Sequence, residues 1–238
     1  MFVRTCLLAA LMASASLPVH AQTKAERAIH ESVVVLDTHF DTPANLSRPG
    51  WNVMDRHEVA MDGTQVDYPR MVSGGVDGGF FAIFTPQGAR GPEGDRKARD
   101  AALLRGLEIH EMVAANPKQF EIALTPDQAM DIARRHKRFV FISMENGAPF
   151  GKDLSLMQTF YAYGVRMMGP VHFLNNELGD SATDKPEWGG LSPLGKQFVA
   201  EANRLGIVLD ASHSADSVLD DMLALSKAPI VLSHTGSR

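Results

Sequence analysis

The chain has 238 residues, 45% hydrophobic, 21% charged and 7% aromatic, a globular composition that excludes a disordered polymer. Lys plus Arg number 23 against 28 Asp plus Glu, a net charge of −5; this argues against nucleic-acid binding, where a basic surplus is the rule. The single cysteine, Cys6, excludes an intrachain disulfide and a thiolate zinc site, and the only long apolar run is N-terminal, so no internal membrane span is expected.

That run, Met1 to Ala21, reads as a secretory signal peptide. Arg4 supplies the positive start, Cys6 to Leu17 the apolar stretch, and Val19-His20-Ala21 the small residues before a cut ahead of Gln22. The alternative, an anchor helix, needs about 20 apolar residues and the run is shorter. Cys6 lies too early for lipid attachment. The mature chain, from residue 22, is expected in the periplasm or outside the cell, where a cysteine-free protein has no disulfide to form.

The mature chain alternates strand-like and helix-like segments. Ser32 to Leu36 is a β-branched run suited to a buried strand. Gly79 to Phe84, Phe139 to Ser143, Val165 to Met168, Ile207 to Asp210 and Pro229 to Leu232 follow as five more. Gln87 to Asp100 is polar and reads as a loop into a helix spanning Lys97 to Ala115. Thr125-Pro126-Asp127-Gln128 is a capping box with proline at the first helical position. The basic run Arg134 to Arg138 reads as a solvated helix end. A helix from about Asp153 ends near Gly164, another runs from Ser192-Pro193 to Gly206, and Ser214 is expected to cap one reaching about Ser226. The β-α-β order with short links predicts a parallel sheet covered by helices.

Polar residues collect at the ends of these strands. Asp37-Thr38-His39-Phe40-Asp41 follows the first, Glu145-Asn146-Gly147 the third, His172 the fourth, Ser212-His213-Ser214 the fifth and Ser233-His234-Thr235 the sixth. In a parallel α/β barrel, catalytic residues converge on this C-terminal rim. Imidazoles and carboxylates without thiolate suit Zn, Mn or a similar first-row ion. His39 and Asp41, two apart on an extended segment, can face the same side. Glu145, with two oxygens, is the natural bridge of a two-metal site. A lone histidine at a strand end is usually a hydrogen-bonded structural residue; the set of five strand ends is what favours a metal. His30, His57, His110 and His136 lack this placement and read as surface or structural. Asp37 is a weaker ligand candidate than His39 or Asp41.

These residues resemble the membrane (renal) dipeptidase family, metallopeptidase family M19. Asp37-Thr38-His39-Phe40-Asp41-Thr42-Pro43 resembles its Asp-x-His-x-Asp-x-Pro opening. Asp67 to Met71 with Gly74-Gly75-Val76, Glu145-Asn146-Gly147, Gly164-Val165-Arg166, His172 through Asn176, Gly190 to Gly195, Asn203 to Gly206, Asp210 to His213 and Ala228 to His234 follow collinearly. The resemblance implies a TIM-like (β/α)8 barrel with two Zn2+ ions: His39 and Asp41 on one, His213 and His234 on the other, Glu145 bridging. It implies that His172 contacts substrate and stabilises the tetrahedral intermediate. A metal-bridging hydroxide would attack the peptide carbonyl of a dipeptide, often one with a D-residue at the C-terminal position. Homodimers are common in the family. A barrel of eight strands does not fit six apolar runs, and the family's substrate-binding Arg and a catalytic Asp fall beyond Arg238. The expectation is therefore a barrel truncated after about six strands, with reduced or no activity as it stands.

Three other readings remain, the plainest being a secreted α/β domain whose histidines are structural. Another amidohydrolase-like metal hydrolase, acting on esters, lactones, β-lactams or phosphotriesters, would commonly open with His-x-His, where this chain has Asp41. A periplasmic metal- or peptide-binding remnant would bind without turnover.

Overall fold

The computed structural model describes residues 23–236. The expected signal peptide and Arg238 lie outside the described residues. The chain divides into one unit ending at Val33 and a second from Val34 onward. In the first, α1 (Lys24–Glu31) opens with a full capping box: Thr23 Oγ1 accepts from Glu26 N–H at 3.2 Å, and Glu26 accepts from Thr23 N–H at 2.7 Å.

The second unit runs β1 (Leu36–Phe40), α2 (Val59–Asp62), α3 (Tyr68–Gly74), β2 (Gly78–Ile83), α4 (Pro92–Ala115), β3 (Phe120–Ile122), α5 (Pro126–Arg134), β4 (Arg138–Met144), α6 (Leu156–Ala162), β5 (Val165–Met168), α7 (Pro193–Leu205), β6 (Val208–Leu209) and α8 (Asp216–Leu225). Every strand pair is parallel, in the order β1-β2-β4-β5-β6. β2 runs along one edge of β4 from Phe139 to Met144, while β3 and β5 share the other edge, β3 beside residues 138–140 and β5 beside 142–144. The fold is α/β, with the parallel sheet forming a half-barrel of TIM-like type. β4 is buried along its whole length, as a parallel strand covered on both faces must be. Its even residues, Val140, Ile142 and Met144, join the main core with Phe81, Ile109, Phe160 and Phe198; Phe139 and Phe141 pack on its other face with Ala129 and Ile132.

Several expected boundaries move. The first strand lies at 36–40, not 32–36: pairing with β2 begins at Leu36↔Gly78, and Val35 is tied to the turn ahead of β2, exchanging bonds with Asp77. The long helix starts at Pro92, not Lys97, because Pro92 at the first position with Glu93 and Asp95 in the first turn makes a start site inside the supposed loop. Ser214 does not cap α8; its neighbour Ala215 takes that position, while Ser214 is held in a bridge to Ser181. Pro229 to Leu232 forms no strand, only one parallel bridge, Asp210↔Val231. β3 was not expected at all. The basic run is not merely solvated: Arg135 and Lys137 both pair with Glu121 at 2.7 and 2.8 Å, and Arg138 is buried at the start of β4. The Thr125 cap is in place, although Gln128 turns its side chain to Leu124 N–H rather than to the cap residue.

Candidate metal centre

Each histidine of the rim is placed by local backbone. In β1, Asp37 pairs with Gly79 and Phe40 with Phe81, so β1 carries one extra residue over that stretch. Such a bulge re-aims side chains at a barrel rim, and His39 turns inward with its side chain 8% exposed. Gly79 makes the bulge possible: a Cβ there would stand 2.3 Å from the Asp37 carbonyl oxygen. Glu145 follows β4 directly, its N–H donating to Ile83 at 3.3 Å; strand parity puts it on the face of Phe139, Phe141 and Ser143. His172 follows β5 with its ring 5.0 Å from that of Phe84 and 3.9 Å from that of Phe173. His213 follows β6 in the left-handed region, φ 63°, a conformation that costs a non-glycine residue about 1–2 kcal/mol and that the bond from Ala182 N–H to the His213 carbonyl helps to hold. His234 follows the Val231 bridge.

These five residues meet at one atom. Glu145 Oε1 lies 3.0 Å from His213 Nε2, 3.4 Å from His234 Nε2, 3.6 Å from His172 Nε2 and 3.7 Å from His39 Nε2. His213 and His234 bring their Nε2 atoms to 2.7 Å of each other. Asp41 stands at the margin, 76% exposed, its Oδ1 3.4 Å from His39 Nε2. Among the described residues two sets have ligand atoms all within 4.8 Å of one another: His39, Glu145 and His234, and Glu145, His172 and His213. The donor set fits a divalent ion. Nitrogen lone pairs aimed at one another and at a carboxylate repel unless a cation or a shared proton lies among them, and imidazole with carboxylate is the ligand chemistry of Zn and its neighbours.

The charges are consistent with this. Burial works to raise the Glu145 carboxyl, but His213 and His234, followed by His39 and His172, outweigh it and hold Glu145 far below the usual carboxylate range. Burial lowers His172, and the neighbouring imidazoles add to that against the pull of Glu145, leaving it below its ordinary value. Burial also opposes charge on His39, yet Asp41 and Glu145 raise it overall.

The remaining histidines of the second unit serve elsewhere. His57 bonds Asp62 at 2.7 Å and the Asn52 carbonyl at 2.9 Å, His110 bonds the Tyr163 carbonyl at 2.9 Å, and His136 occupies the turn into β4. Asp37 accepts from the backbone N–H of His39 at 2.9 Å instead of reaching the cluster. The sequence reading gave no role to Asp210, Ser212 or Ser233, which lie buried directly behind His213 and His234. The available signal was their position: each is within three residues of a rim histidine, on the same strand ends.

The sequence profile of the membrane dipeptidase family, peptidase family M19, matches residues 23–238. Dipeptidase TcpJ of Claviceps purpurea is 28% identical over 79% of this chain and 45% of its own length, and dipeptidase VerJ of Clonostachys rogersoniana 28% identical over 85% and 54%. Among solved structures, the probable dipeptidase PvdM from Pseudomonas aeruginosa superposes with a TM-score of 0.79 at 33% identity, covering 88% of this chain and 54% of that one. A metallo peptidase from Rhodobacter sphaeroides, liganded with a phosphinate mimic of the dipeptide L-Ala-D-Ala, superposes with a TM-score of 0.73 at 26% identity, over 85% and 65%. The chain thus spans about half the length of the curated relatives it matches. The family is metal-dependent, and the His and Glu groups of the rim are able to hold an ion. The chain belongs to the membrane dipeptidase family, peptidase family M19.

Proposed function

We propose that this chain carries the metal-holding part of a zinc dipeptidase. The observation that carries the reading is the convergence of four imidazole Nε2 atoms on Glu145 Oε1 within 3.0–3.7 Å. His39 and Asp41 would hold one Zn2+, His213 and His234 a second, and Glu145 would offer an oxygen to each. When bound, such ions polarise a carbonyl and bring the pKa of water to about 7. Glu145 keeps the centre anionic, and the bulged β1 fixes His39 against it. His172, packed between Phe84 and Phe173, would face the substrate and stabilise charge on the carbonyl oxygen of the tetrahedral intermediate. A cleft of about 360 Å³ beside His39 and Asp41 is of the size that takes small ligands.

The substrate we infer is a dipeptide, with a D-residue accepted at the C-terminal position; the L-Ala-D-Ala mimic held by the Rhodobacter sphaeroides relative supports that choice. Export by the N-terminal leader, cleavage after Ala21 and a periplasmic location belong to the same proposal, as does a homodimer. Among the described residues no helix is long and apolar enough to cross a membrane.

The test is metal content by elemental analysis of monodisperse protein, with turnover of L-Ala-D-Ala followed on the same sample. About two zinc per chain, reduced in His213→Ala, is the expected result, with hydrolysis reduced or absent in this chain and any that is present lost to a chelator and restored by zinc. Zinc bound without turnover of any dipeptide, in a chain extended to the length of its relatives as well, would favour a binding protein. No metal at all would overturn the assignment.

A further inference from the structure

The rim histidines need a defined proton arrangement to act as ligands, and one of them has its outer nitrogen fixed by a buried relay. Asp210 is 4% exposed and stands at the end of β6. Its Oδ1 accepts from Ser212 N–H at 3.0 Å, Ser212 Oγ at 2.7 Å and Ser233 N–H at 3.1 Å; its Oδ2 accepts from Ser233 Oγ at 2.5 Å. Ser233 Oγ also lies 2.9 Å from His234 Nδ1, and Ser212 Oγ accepts from His234 N–H at 3.2 Å.

The proton count has one consistent solution. A carboxylate only accepts, and a serine hydroxyl has one proton. Ser233 therefore donates to Asp210, and its lone pair must accept from His234 Nδ1–H. The reverse direction would need a neutral carboxyl donating from Oδ2 while three donors converge on Oδ1, an arrangement that suits the anion. With its one proton on Nδ1, neutral His234 presents an unprotonated Nε2 that accepts from His213 Nε2–H at 2.7 Å, the proton that lies between the two rings when no metal is bound.

We propose that Asp210 and Ser233 are positioning residues that lock His234 in the Nδ1–H tautomer and so prepare its Nε2 for a divalent cation. The relay couples two strand ends, since the Ser233 carbonyl also accepts from Thr38 Oγ1 of β1 at 2.5 Å, which brings the His39 and His234 rings to 4.0 Å. The proposal rests on the metal reading above for its purpose, but the tautomer exists without metal and is tested without it.

The experiment is a long-range 1H–15N correlation spectrum of the metal-free protein labelled at histidine nitrogen, at pH 8, with His234 assigned by its absence in His234→Ala. The expected pattern is a protonated-type Nδ1 and a lone-pair-type Nε2. The opposite pattern in the unmodified protein overturns the proposal, with no dependence on any variant folding or on metal binding. Ser233→Ala should mix the tautomers and weaken zinc, measured by competition with a chromophoric chelator, about 10–100-fold, the usual cost of losing an outer partner of a metal histidine. Ser233→Thr, which keeps the hydroxyl, should restore both readouts. An unmixed tautomer and unchanged affinity in a folded Ser233→Ala would overturn it equally. A protein that binds no zinc but shows the Nδ1–H pattern would remove the metal reading and leave the relay standing.

Discussion

Glu145 sets the chemistry of the rim at the scale of a single residue. Its carboxylate is 5% exposed and faces four imidazoles, so replacing it by the neutral, isosteric glutamine removes the one anion that they share. Glu145→Gln should weaken zinc by more than the ~100-fold that losing an outer partner costs, while the metal-free fold stays intact by circular dichroism; affinity within tenfold of the parent would show that Glu145 is not the centre of the site. The residues of this cluster were legible in the sequence because strand ends collect polar residues in a barrel, and His39, Glu145, His172, His213 and His234 do meet. The layer behind them was not legible. Asp210, Ser212 and Ser233 look like ordinary turn residues until the strands are laid side by side, since the hydrogen bonds that join Asp210 and Ser212 to Ser233 span 21–23 positions.

At the scale of elements, helix ends show how far local signals reach. Ser192-Pro193 and Gly206 bound α7 as read, because a side-chain cap and a left-handed glycine act within a few residues. Strands depend on partners: β3 is three residues long and exists only through β4, and Val34-Val35, strand-forming by propensity, precede the ladder that starts at Leu36. The end of α5 is well formed but carries the wrong residue for its geometry. Lys137 N–H bonds the Ile132 carbonyl and His136 N–H the Ala133 carbonyl, a Schellman closure that places His136 at φ 58°, where glycine is preferred. His136→Gly should stabilise the protein by about 1 kcal/mol, a rise of roughly 2–4 °C in melting temperature for a chain of this size. A melting temperature unchanged or lower would mean that the imidazole makes a compensating contact.

For the whole molecule, the parallel α/β class was readable from element order, whereas the curvature that brings β1 against residues 233–234 is a product of bulges and sheet twist that no local pattern encodes. The acid response is also a property of the assembled molecule, because carboxylates far apart in sequence are tied to different parts of it. Asp67, fully buried, caps α3 and binds Arg70. Asp180 accepts the N–H groups of Glu187, Trp188, Gly189 and Gly190 in the loop between β5 and α7. Glu121 joins β3 to the end of α5. Burial alone would raise Asp67 and Asp180, but their donors win and both lie below the ordinary range; the hydrogen bonds from Arg135 and Lys137 outweigh burial and bring Glu121 to about 2. A depressed folded-state pKa means stabilisation that is complete above the unfolded value, about 4 for Asp and Glu, and lost as pH falls through the folded one. Denaturant midpoints should therefore drop between pH 4.5 and pH 2. Asp180→Asn isolates one contribution: the amide cannot accept four N–H bonds, so the variant should be less stable at pH 7 by about 1–3 kcal/mol. The difference should shrink towards pH 2 as the parent's own Asp180 becomes protonated. A gap that stays constant from pH 7 to pH 2 would show that the loop is held by packing and not by the charge of Asp180.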